Sequence, residues 1–166
     1  VCAVVVAWAP IAQAATGAYL HLSLGGEQVS LEPTTQSRLG AGIALFSVSV
    51  LSTGGPSAHG AIVITKAVDE TTPRLLEAWA QDESVDLAEI RLYRPATVDG
   101  GESSEHFFTI TIRGGSIANV SLSLPYASDP NAPSRSAYET IELVAHTITY
   151  AHEPSGSRFE THLGEL

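Results

Sequence analysis

The stretch Glu105-His106-Phe107-Phe108-Thr109-Ile110-Thr111-Ile112-Arg113-Gly114-Gly115-Ser116-Ile117-Ala118-Asn119-Val120-Ser121-Leu122-Ser123-Leu124 carries the pattern that decides the fold. Phe108, Ile110 and Ile112 alternate with Phe107, Thr109 and Thr111, the period-two spacing of a half-buried strand. Gly114-Gly115 then reads as a hairpin turn, because glycine accepts positive φ without a Cβ clash. On the returning strand Val120, Leu122 and Leu124 share one phase. Ile117 falls out of it, which predicts a bulge near Ala118-Asn119.

The same alternation extends along most of the chain. Leu20, Leu22 and Leu24 share one face opposite Tyr19, His21 and Ser23. Phe46, Val48 and Val50 alternate with Ser47, Ser49 and Leu51, and Ile62 and Ile64 with Val63 and Thr65. Ile90 and Leu92 alternate with Glu89, Arg91 and Tyr93. The last long strand is expected over Ala137 to Ala151, where the apolar phase shifts from Ile141 and Leu143 to Val144, Ile148 and Tyr150. Such a shift marks a bulged or bent strand. Only one segment reads as helix, with Thr72 as N-cap and Pro73 in the first helical position. Leu75, Leu76 and Trp79 fall on one face of it, and Trp79 is expected to anchor that face in the core. Three segments read as loops: Gly25 to Gly42, Thr97 to Ser104 and Ser128 to Ser136. The fold class is mainly β, with seven or so strands and one short helix, arranged as a barrel or a sandwich.

The chain of 166 residues suits one domain, and 44% apolar residues suffice for a packed core. The net charge of -10 repels polyanions, so nucleic acid is not an expected partner. Arg74, Arg91 and Arg94 lie scattered among acids and form no basic patch. Val1 to Ala15 carries no charge and is too short for a membrane-spanning helix. It fits the apolar part of a secretory signal with Ala12-Gln13-Ala14 as the cleavage site. Residues 1–14 are therefore expected to be a signal remnant and 15–166 the folded domain, secreted or periplasmic and without a membrane in its mature form. The single cysteine, Cys2, would leave with the signal.

Chemistry is sparse. His146 and His152 share a strand face but stand too far apart to chelate one ion. Neither H-E-x-x-H, C-x-x-C nor G-x-S-x-G occurs. Asp99, Glu102 and Glu105 read as a solvated acidic loop. The glycine pairs have no P-loop lysine after them. Lys66, the only lysine, is expected to bond Asp69 or a helix-end group in a structural role. No catalytic residue, cofactor site or metal site is assigned.

One run is specific. Ile64-Thr65-Lys66-Ala67-Val68-Asp69-Glu70-Thr71-Thr72-Pro73-Arg74-Leu75-Leu76-Glu77-Ala78 resembles the strand-to-helix signature I-T-K-x-x-D-x-x-[ST]-P-x-L-x-x-A of the Hcp family of the bacterial type VI secretion system. Further similar segments follow in order: Tyr93-Arg94-Pro95, Glu105 to Ile110, Val120 to Leu124, and Ile148 to Glu153. The resemblance implies a barrel of two packed antiparallel sheets with one flanking helix. It implies a non-enzymatic homo-hexamer ring that stacks into a tube, holds effector proteins in its lumen and meets sheath and tip-spike proteins. His106 and His152 fall in the similar strands, where structural hydrogen bonds are expected. The chain departs from the family in its early strand, Gly42 to Val50, which lacks the acid and the tryptophan of an I-E-V-x-S-[FW]-x-W-like pattern. It departs again in the secretory signal, since tube subunits assemble in the cytosol before they leave the cell. Edge pairing between neighbours, aided by Tyr93 and Phe107, is the expected means of ring closure. The competing reading is an exported stand-alone barrel that binds a protein, lipid or carbohydrate.

Overall fold

A computed structural model of the chain describes residues 17–30, 42–52, 60–98, 101–124 and 137–162. The expected signal at 1–14, its cleavage site and the loop at 128–136 lie outside these residues. In chain order the elements are β1 (Gly17–Leu24), β2 (Glu27–Val29), β3 (Ile43–Ser52), β4 (Gly60–Ala67), α1 (Thr72–Ala80), β5 (Val85–Val98), β6 (Gly101–Ser123), β7 (Tyr138–His152) and β8 (Ser157–His162). All strand pairings are antiparallel. Pairing follows β1-β3-β4-β7-β6-β5 and returns from β5 to β1, a closed six-strand path with β2 and β8 attached outside it. The expected barrel of packed sheets with one short helix is present.

The interior is the set of side chains that the period-two pattern turns inward. Leu20, Leu22, Leu24, Ile62, Ile64, Ile90, Ile110, Ile112, Ile141, Leu143 and Ile148 are all buried. Each contributes about 1.5–3 kcal/mol relative to remaining in water.

Gly114-Gly115 is not a hairpin turn. β6 continues through it without a break in pairing, with Arg113 paired to Thr147 and Gly115 to Ala145. The two glycines take φ of 63° and 139°. A Cβ on Gly115 would stand 2.0 Å from the Val144 carbonyl oxygen, so only glycine fits. Two positive-φ residues inside a strand turn its faces over, as they would reverse its direction in a turn. Ile112 and Ile117 therefore both point inward although they stand five positions apart, an offset that puts residues of a regular strand on opposite faces. β7 bends beside this point, and its inward row passes from Leu143 and Ala145 to Ile148 and Tyr150. The expected shift to Ile148 and Tyr150 is there, but Val144, between the buried Leu143 and Ala145, falls outside the inward row. The bulge near Ala118-Asn119 is also present, as a register shift between Ile117 and Asn119.

Other expectations need correction. Thr97 to Ser104 is not a loop, since β5 and β6 pair out to Val98 and Gly101. The segment after Gly25 contains β2, which folds back on β1 through Gly25-Gly26 and pairs Val29 with Leu22. Phe46 does not face the core. It is the extra residue of a bulge between Leu45, opposite Lys66, and Ser47, opposite Thr65, and it is 62% exposed. Trp79 is no core anchor either. The helix buries Thr72, Leu75 and Ala78, so its inward face centres on the small Ala78 and turns Trp79 outward. β8 was not anticipated at all.

The helix starts on a buried polar network. Lys66 is fully buried, and its Nζ donates to the Ala67 carbonyl at 2.7 Å, Asp69 Oδ1 at 2.9 Å and Glu139 Oε1 at 2.6 Å. The cap position belongs to Thr71 and not Thr72, and no side-chain cap bond is made there. Instead Asp69 Oδ1 accepts from the Thr71 N–H and hydroxyl. Thr72 opens the helix, accepts from the Asp69 N–H and donates to Glu139 Oε1. Lys66 thus joins the end of β4, the helix start and β7, the structural role expected of it. Burial alone would raise the Asp69 carboxyl. Hydrogen bonds from the Thr71 hydroxyl, Lys66 and the Thr71 N–H outweigh it and hold the group below its ordinary value.

Three outcomes follow for equilibrium unfolding. Lys66→Met should cost about 3–5 kcal/mol, because it strands the buried Glu139 carboxylate. Gly115→Ala should cost more than about 3 kcal/mol, through both the clash and the backbone strain. Because Asp69 titrates lower in the folded chain, its contribution is complete above the unfolded value of about 3.9 and disappears as pH falls through the folded value. Stability should therefore drop below about pH 4, and Asp69→Asn should flatten that drop.

Candidate assembly interface

The bend at Gly114-Gly115 divides β6 and β7 between two sheets. One holds β3, β4, residues 138–144 of β7 and residues 115–123 of β6, in that order. The other holds β1, β5, residues 108–113 of β6, residues 147–152 of β7, and β8. β1 and β3 close the barrel through only three pairs, Ala18–Leu45, Tyr19–Ala44 and Leu20–Ile43. Beyond Leu45, β3 pairs only with β4 among the described residues. Among the described residues, β6 from Ile117 to Ser123 pairs only with β7. Among the described residues the first sheet therefore ends in two free edges on opposite sides.

Both edges carry core-facing side chains that the subunit leaves uncovered. Directly opposed residues of an antiparallel pair share a face. Val48 and Val50 oppose the buried Ile64 and Ile62, and Val120 and Leu122 oppose the buried Ile141 and Glu139. Yet Val50 is 41%, Leu122 50% and Leu124 60% exposed. The inward rows thus run out to both rims and stop in solvent.

The two edges also lack the usual protection against pairing. Edge strands are normally blunted by charge. Neither 43–52 nor 114–124 contains an Asp, Glu, Lys, Arg or His, in a chain with 18 acidic, 8 basic and 6 histidine residues. The outer edge of β8 is different. Arg158, Glu160 and His162 occupy half of its six positions.

An apolar groove of about 250 Å³ lies where the β1–β3 pairing stops, lined by Phe46, Val48, Leu92, Tyr93 and Phe107 among others. Tyr93 and Phe107, expected to aid assembly, are thereby brought together beside the β3 edge. Tyr93 packs edge-on against Tyr19 and stacks on His106, while the Arg94 guanidinium lies 5.3 Å from the Phe107 ring centre.

The residues weighed for chemistry have structural partners. His106 Nε2 and Thr109 Oγ1 are 3.0 Å apart, and the Thr109 hydroxyl donates to Glu153. His152 Nδ1 and Ser155 Oγ are 2.8 Å apart. His146 lies against Gly114. Glu105 pairs with Arg94, whereas the side chains of Asp99 and Glu102 lie outside the described set. Among the described residues no three His, Cys, Asp or Glu side chains converge as a metal site would require. No described helix is long and apolar enough to cross a membrane.

Comparison with known proteins bears on this geometry. The family model described as "Type VI secretion system effector, Hcp" matches residues 44–152. A Pseudomonas aeruginosa protein named "Major exported protein" is 28% identical over 103 residues, a match that covers 62% of this chain and 58% of that relative's length. Among solved structures, a crystal structure of an Hcp protein superposes with a TM-score of 0.76 at 21% identity, covering 92% of this chain and 100% of that one. A secreted Hcp protein from Pseudomonas aeruginosa gives a TM-score of 0.73 at 19% identity, covering 91% and 100%. The family match takes in well over half of the sequence. This chain belongs to the Hcp family of the type VI secretion system, a family of structural tube proteins rather than enzymes.

Proposed function

We propose that the chain is a ring subunit of a type VI secretion tube, whose hexamers stack and carry effector proteins in the lumen. The observation that carries this reading is the pair of uncharged free edges on one sheet, with inward apolar rows left uncovered at both. Joining the β3 edge of one copy to the β6 edge of the next continues the backbone ladder and covers Val50 and Leu122 together. The two edges are different surfaces, so the contact is heterologous and repeats around a ring. The family supports six as the number that closes it. A relative named as exported supports release from the cell, and cleavage after residue 14 would route this chain through general export. The sheath and tip-spike partners rest on the family alone.

The absence of charge at the contact also sets its salt response. Copies of net charge -10 repel one another, and no ion pair at the joined edges offsets that. Screening should therefore strengthen assembly as ionic strength rises toward ~0.15 M.

Light scattering of the chain from Ala15 onward at micromolar concentration should give six subunit masses, with rings by negative-stain microscopy. Leu122→Asp or Val50→Asp should each yield a folded monomer, since both positions are already half-exposed. Phe159→Asp on the charged β8 edge should leave the ring intact. A wild-type monomer that persists at ~0.15 M salt would contradict the reading.

A further inference from the structure

A second groove, of about 360 Å³, crosses the outer face of the sheet that contains β8. Its floor is short and hydroxylated. Thr111 sits between Glu89 on β5 and Thr149 on β7, and Thr109 between Arg91 and Ala151. Long charged side chains form the walls. Arg91 is spent on Glu89, at 2.5 Å. At one end Glu153 receives the Thr109 hydroxyl. Arg113 and Arg158 are exposed and form no ion pair or hydrogen bond among the described residues. Three of the eight basic residues of a chain of net charge -10 thus line one groove, and two remain uncommitted.

We infer that this groove binds an extended acidic peptide segment of a partner protein. Spacing and charge carry the inference. Arg113 is opposite Thr147 and Arg158 opposite Ala151, four residues apart on β7. That is roughly 13 Å along the strand direction. The two arginines also stand two strand spacings apart, on either side of β7, so their backbones are about 16 Å apart in all. Two carboxylates at positions i and i+4 of an extended peptide laid obliquely across the groove project from one face, about 13 Å apart, and the long arginine side chains span the remainder. The guanidinium forks suit carboxylates. Between them the Thr111 hydroxyl, free among the described residues, is available to the peptide backbone. A nucleic acid fits less well, because none of the groove's lining residues except His106 offers a ring for a base to stack on, and the chain's net charge opposes a polyanion. None of these residues lies on the β3 or β6 free edge, so the groove stays open whether or not copies join there.

Fluorescence anisotropy on the full chain tests this with a labelled extended peptide that bears two glutamates four residues apart. Its glutamine counterpart should bind at least about tenfold more weakly. Arg113→Gln and Arg158→Gln should each weaken the acidic peptide by a similar factor. Arg94→Gln, paired with Glu105 away from the groove, should change nothing. Equal binding of the two peptides, or indifference to both groove variants, would overturn the proposal. So would displacement of the peptide by inorganic phosphate at equal concentration, or tighter binding of a single-stranded oligonucleotide.

Discussion

The Val144 carbonyl oxygen leaves no room for a Cβ on Gly115, and the barrel's architecture follows from that contact. With glycine at 114 and 115, β6 can reverse its faces in mid-strand while staying hydrogen-bonded to β7. Both strands then serve two sheets, each presenting its apolar row to the same interior. A barrel made this way is closed on one side by β5 against β1, and only narrowly on the other, where β1 meets β3. The unpaired length of β3 and the far end of β6 are what is left over. The proposed assembly is thus a consequence of how the barrel is folded and not an added feature.

The helix depends on a different kind of constraint. Apolar contacts through Leu75 and Ala78 hold its inner face, but its start is fixed by Lys66. Burying an ammonium group costs several kcal/mol unless partners surround it. Here a carbonyl and two carboxylates do so, drawn from the β4 end, the turn before the helix and β7. The family signature in this chain is largely the list of residues that this network requires, namely Lys66, Asp69 and Thr72. A buried ion network of this kind adds little net stability over an apolar core, but it accepts one arrangement of its elements.

Much of this was legible from residue order. The alternation at Leu20–Leu24 and Ile62–Ile64 and the role of Lys66 needed only period and charge. The misreadings share a physical cause. Gly114-Gly115 reports positive φ, which serves a turn or a face reversal equally well, and the out-of-phase Ile117 reports the separate bulge before Asn119. Phe46 looked inward because alternation ignores bulges, and one extra residue reverses every side chain after it. Trp79 shares helical spacing with Leu75 and Leu76, whereas close packing of helix on sheet selects the face through Thr72, Leu75 and Ala78. β8 alternates weakly because it is exposed on both faces. The assembly edges were readable too, as two charge-free runs at 43–52 and 114–124. Their meaning emerged only once pairing showed which strands lack a neighbour.

The proposed ring rests on one mode of association: main-chain pairing across two undefended edges, with β8 excluded by its charges. Hydrogen–deuterium exchange on the assembled protein, read at 46–52 and 117–123, measures that pairing directly. The account predicts strong protection of both segments in the ring, fast exchange in a dissociated Leu122→Asp variant, and no change in β8 between the two. Rings whose 46–52 and 117–123 amides exchange as fast as those of the monomer would contradict it.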